Sequence, residues 1–91
     1  MSLTSKQYGF DVGGTWVEIR GVTKATNPEW SLVIDDEVVD SQKKTGEFAL
    51  SGELPGGKML TAHIDQGSLG NVDVLVTVDG VRVQKLSGFL L

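Results

Sequence analysis

The chain has 91 residues, no cysteine, eight basic and twelve acidic side chains, and a formal net charge of −4. That length makes one domain with one modest core, which must hold by packing alone because no disulfide or thiolate metal site can form. The acidic balance argues against nucleic acid and anionic membranes, and no apolar run approaches the ~20 residues of a spanning helix.

In chain order, Met1-Ser2-Leu3-Thr4-Ser5-Lys6 lacks the apolar stretch of a signal peptide, so residues 1–6 read as a flexible or cloning-derived lead-in and the expected location is cytoplasmic. Tyr8 to Val12 is a candidate strand ended by Gly13-Gly14. Thr15 to Val22 follows, with Val17 and Ile19 on one face and Trp16, Glu18 and Arg20 on the other. Residues 23–28 read as a loop ending in Asn-Pro. Glu29 to Ile34 sets Trp30, Leu32 and Ile34 on one face, so Trp30 is expected in the core. After Asp35-Asp36 the chain returns through Glu37 to Ser41.

Residues 42–46 are polar and turn-like. Glu47 to Gly52 directs Phe48 and Leu50 inward. Pro55-Gly56-Gly57 is a turn. Lys58 to Gln66 alternates Leu60, Ala62 and Ile64 against Met59, Thr61 and His63. Residues 67–70 form a further loop. Val72 to Val78 is the cleanest strand. Asp79-Gly80 is a tight hairpin turn, because Asp-Gly supplies the positive φ that such turns need. Val81 to Leu86 returns, with Val81 and Val83 expected inward.

Eight short strands with frequent turns and no helical period predict an all-β fold: a single antiparallel β-sandwich of seven to eight strands over residues 1–91. A small up-and-down β-barrel is the alternative, since it too disposes of sheet edges. The Asp35-Asp36 and Asp79-Gly80 hairpins are alike, and each is followed by a glycine and a phenylalanine (Gly46 and Phe48; Gly88 and Phe89). A weak internal repeat is therefore considered beside chance similarity.

Chemistry-bearing motifs are sparse. Asp11-Val12-Gly13-Gly14-Thr15 resembles the phosphate-binding turn of sugar kinases and actin-like ATPases. Those proteins need two large α/β domains, so the segment reads here as a hairpin turn. Asp35, Asp36, Glu37 and Asp40 lack the spacing of a calcium loop and read as a solvated turn. No metal ligand set and no cofactor is expected. His63, the single histidine, has no nucleophile or carboxylate at a telling spacing; no catalytic residue is assigned, and His63 stands as a candidate contact residue. Trp16, alternating with Glu18 and Arg20, is expected to be exposed and is a candidate contact residue. Phe89, Leu90 and Leu91 form an apolar tail expected to pack on a sheet or on a partner, since each forgoes ~1.5–3 kcal/mol if left in water.

The order of these elements resembles the Fas apoptotic inhibitory molecule domain. The matching stretch runs from about Thr15 to Leu86. It comprises Val17-Glu18-Ile19, Glu29 to Ile34 with its Asp35-Asp36 turn, Gly46-Glu47-Phe48-Ala49-Leu50, Leu60 to Ile64, and Val76-Thr77-Val78-Asp79-Gly80. Family members carry two such domains where one fits here, and Asp36 stands where glycine is expected. The resemblance implies a compact non-catalytic sandwich acting through protein–protein contacts.

Three functions follow as expectations. The first is a non-enzymatic protein-binding or assembly module, using a sheet edge or an exposed face, whose partner is another protein or a second copy. The second is a small-molecule or carbohydrate-binding domain that stacks its ligand on Trp16. The third, disfavoured, is an enzyme using His63 as base.

Overall fold

In the computed structural model the described residues are 5–22, 28–67 and 71–90, with side chains described over 7–22, 28–67 and 71–87. Residues 1–4 of the lead-in expected over 1–6, residues 23–27 and 68–70 of the two loops, and Leu91 lie outside them, as do the side chains of Phe89 and Leu90; Ser5 and Lys6 belong to the first strand instead.

The described residues form two four-stranded antiparallel sheets. The first contains β1 (Ser5–Val12), β2 (Thr15–Val22), β3 (Glu29–Ile34) and β4 (Glu37–Lys43) in that order. The second contains β5 (Gly46–Glu53), β6 (Met59–Gln66), β7 (Asn71–Val78) and β8 (Val81–Leu90), again in chain order. Each sheet is a meander, and the two pack face to face as a sandwich rather than closing into a barrel.

Three connections are two-residue turns with left-handed backbone at both positions: Gly13-Gly14 (φ 55° and 89°), Asp35-Asp36 (52° and 65°) and Asp79-Gly80 (49° and 84°). This geometry matches the right-handed twist of paired strands, and it is why turn residues alone located the hairpins. The segment that resembled a phosphate-binding turn is therefore a hairpin, with Asp11 Oδ2 receiving the Gly14 N–H at a long 3.4 Å.

The core lies between the sheets. Val17, Ile19, Trp30 and Leu32 of the first sheet meet Leu50, Leu60, Ile64 and the valines of β7. Trp30 lies over Gly21, its cross-strand neighbour, where a Cβ would sit 2.7 Å from Cζ3. Its indole N–H donates to Gln66 Oε1 at 3.2 Å, joining β3 to β6 across the core, and its ring packs at 6.5 Å from Phe48. A buried glutamine thus has a partner, as burial of a polar group requires.

The two halves repeat more than their turns. The Asp35-Asp36 and Asp79-Gly80 turns each close the third hairpin of a meander. The Asp35 N–H donates to the Trp16 carbonyl at 3.0 Å, and the Asp79 N–H donates to the Met59 carbonyl at 2.9 Å. Each hairpin then carries a bulge, Val39 in β4 and Val83 in β8. Val39 uses its bulge to fold over Gly52 of β5, where a Cβ would meet it at 2.5 Å.

Strand β8 corrects one expectation. Val83 is the extra residue of a bulge, which breaks the alternation, and it is exposed rather than inward. Val81 lies on the turn side of that bulge, paired with Val78 next to the Asp79-Gly80 turn, and is 67% exposed there.

Polar side chains join the sheets at one corner. Gln42 Nε2 donates to the Ala49 carbonyl at 2.8 Å, and Asp40 Oδ2 accepts from the Ser51 N–H at 3.0 Å. Side chains of β4 thereby occupy edge groups of β5 that a foreign strand would otherwise pair with.

Candidate functional site

The outer face of the first sheet holds the most organised polar cluster among the described residues. Strand alternation directs Trp16, Glu18 and Arg20 of β2 to this face, beside Gln7 and Gly9 of β1 and Val33 of β3. Glu18 is the hub. Its Oε1 accepts from Gln7 Nε2 at 2.6 Å and from Arg20 Nε and Nη2 at 3.0 and 2.9 Å, and its Oε2 accepts from the Trp16 indole N–H at 2.9 Å. Neighbours cover it so fully that it is only 6% exposed, although it points away from the core. The Arg20 guanidinium, then the indole N–H, hold its carboxyl below the ordinary value of 4.5, against the opposing effect of burial.

Trp16 is the exposed part of this cluster, at 47%. Its ring rests on Gly9, and the space a side chain would need there is taken by Cζ2, Cε2 and Cη2 of the indole. Glycine at position 9 is what lets the ring lie against the strand. Trp16 is thus fixed at two points, by the bare backbone of Gly9 and by the Glu18 carboxylate, while about half of it faces water. The sequence placed Trp16 on an exposed face with Glu18 and Arg20, and it did not single out Glu18 as a covered hub. The signal available for it was the Trp16–Glu18–Arg20 spacing of two on one strand face, which groups an indole donor and a cation around one carboxylate.

His63 lies elsewhere, on the outer face of the second sheet. Ala49, His63, Leu75 and Lys85 form one cross-strand row there, next to a row of Glu47, Asp65, Asp73 and Ser87. Apart from Ser87, the two rows line a shallow depression of about 450 Å³. His63 is exposed and has no hydrogen-bond partner among the described residues. A second depression of about 350 Å³, lined by Val12, Gly13, Leu54 and Val78, opens at the turn end of the sandwich. Trp16 lines neither. The backbone of the tail continues β8, pairing Phe89 with Val72 and Leu90 with Asn71 on the second sheet.

The sequence-derived candidates are therefore not one constellation. Trp16 belongs to one outer face, and His63 and the tail strand belong to the other sheet. Among the described residues no three His, Asp or Glu side chains are placed to hold a metal ion, and the Asp35-Asp36 turn is exposed.

Fold and site define an all-β sandwich of two antiparallel meanders bearing a rigidly seated surface tryptophan. No family model matches the chain, and neither a curated protein nor a solved structure matches it.

Proposed function

We propose that this chain is a non-enzymatic protein-binding module whose contact face is the outer surface of the first sheet, centred on Trp16. The observation that carries this reading is a tryptophan half in water yet anchored by its N–H to a buried carboxylate and by its ring to a glycine. Tryptophan and arginine dominate protein–protein hot spots. An aromatic already immobilised loses little entropy when a partner covers it. Its polar edge is satisfied, so covering the ring leaves no orphaned donor. The reading agrees with the protein–protein role that resemblance to the Fas apoptotic inhibitory molecule domain implies.

The small-molecule reading uses the same residue with less support. Small ligands favour concave sites, and Trp16 lies outside both depressions described above. The donors around Glu18 are all engaged with its carboxylate, leaving few polar groups to orient a sugar.

The test is retention of proteins from an extract of the source cells on immobilised wild type, Trp16→Leu and the control Met59→Ala, whose exposed side chain lies in the other sheet. Thermal melts first establish that all three are folded. The expected result is a protein held by wild type and Met59→Ala and lost with Trp16→Leu. An identical set on all three columns contradicts the reading.

A further inference from the structure

We propose that the Trp16 face recognises a cationic side chain, so that its partner is a protein segment presenting lysine or arginine. This rests on the reading above and names the partner's chemistry.

Three aspartates flank Trp16 in the sheet register. Asp11 is its direct cross-strand neighbour in β1. The turn residue Asp35 is tied to it by the backbone bond from the Asp35 N–H to the Trp16 carbonyl, and Asp36 follows at the turn tip. All three aspartates are exposed. Among the described residues, the one side-chain contact these aspartates make is the long one between Asp11 Oδ2 and the Gly14 N–H. Arg20, the cation of the cluster, is already paired with Glu18 at 2.9 Å. The site therefore offers an open indole face and unneutralised carboxylates at its margin.

Those two features fit one ligand chemistry. The face of an indole carries negative quadrupolar potential and attracts ammonium or guanidinium groups more strongly than other aromatic rings do. Flanking carboxylates add long-range attraction and raise the encounter rate. An anionic partner would meet repulsion from them, and an uncharged apolar one would gain nothing from them. The chain's net charge of −4 has the same sign as these carboxylates.

The probe is fluorophore-labelled octalysine, with octa-(acetyl-lysine) as its uncharged counterpart, titrated at low ionic strength and read by anisotropy. Saturable octalysine binding is expected, with none for the acetylated peptide. Trp16→Leu weakens it about tenfold. Asp11→Asn combined with Asp36→Asn weakens it several-fold, and added salt does the same. Octalysine bound equally well by Trp16→Leu overturns the inference, because binding then reflects general acidity or the Glu47–Asp65–Asp73 row. No binding by wild type also overturns it. If octalysine fails while an extract protein is still retained through Trp16, the cation is wrong and the contact face stands.

Discussion

Gly9→Ala isolates the seat of Trp16, and its effect should change sign with the tryptophan. A strand alanine is normally about 0.5–1 kcal/mol more stable than glycine. At position 9 its methyl would enter the space of the indole, with Cε2 at 2.9 Å and Cη2 at 3.0 Å and a third ring carbon nearer still. Those atoms belong to a rigid ring held at the other end by Glu18, so the ring must lift. A tryptophan buries about 150–250 Å² when fully covered. With 47% of Trp16 exposed, about 100 Å² is at stake. At about 25 cal/mol/Å² that contact is worth about 2.5 kcal/mol, so partial lifting outweighs the propensity gain and leaves a net loss of about 1–2 kcal/mol. In a Trp16→Ala background the obstacle is gone, and Gly9→Ala should stabilise by about 0.5–1 kcal/mol. Urea denaturation of the four proteins gives the cycle. Stabilisation by Gly9→Ala in both backgrounds would refute the seating of the ring on Gly9.

Other consequences follow from the same contacts. Gly21→Ala places a methyl 2.7 Å from Trp30 in the core, where the ring has no room to retreat; a loss of about 1–3 kcal/mol and a clearly lowered Tm are expected in a thermal melt. Glu18 ionises below its ordinary value of 4.5, so the folded state binds fewer protons there than the unfolded chain. Its stabilising contribution is complete above that value and is lost as pH falls through the lower folded value, so the stability advantage of wild type over Glu18→Gln should shrink on acidification below pH 4.5 in a urea series. Asp36 holds φ 65° without being glycine, so Asp36→Gly should relieve the turn and raise stability by about 0.5–1 kcal/mol, measured by the same denaturation.

The parts of this molecule that were legible in sequence are those set by neighbours in the chain. Thr15–Val22 and Glu29–Ile34 were bounded correctly because alternation runs cleanly up to a paired turn signal at Gly13-Gly14 and Asp35-Asp36. Trp30 was placed in the core by its spacing with Leu32 and Ile34, and Trp16 was placed outside by the opposite parity. The misplacement of Val83 has a local cause. It is the residue inserted by a bulge in β8, and no sequence rule announces it. The covering of Glu18 was not legible, for a non-local reason. Its burial depends on Gln7 and on an indole that can fold over because Gly9, on another strand, has no side chain. Val33 shows the same effect: it lies on the outer face beside Glu18 and is nonetheless 1% exposed.

The central claim is that Trp16 is held in place before any partner arrives, and the indole N–H resonance of Trp16 reports on this directly. The chain has two tryptophans, so Trp16→Leu assigns the pair of indole signals. Relaxation of the ¹⁵N-labelled indole should give an order parameter near ~0.85, the value of rigid backbone, despite the exposure of the ring. Slow exchange with solvent should accompany it in wild type and be lost in Glu18→Gln. An order parameter below ~0.6 in the free protein would contradict the account.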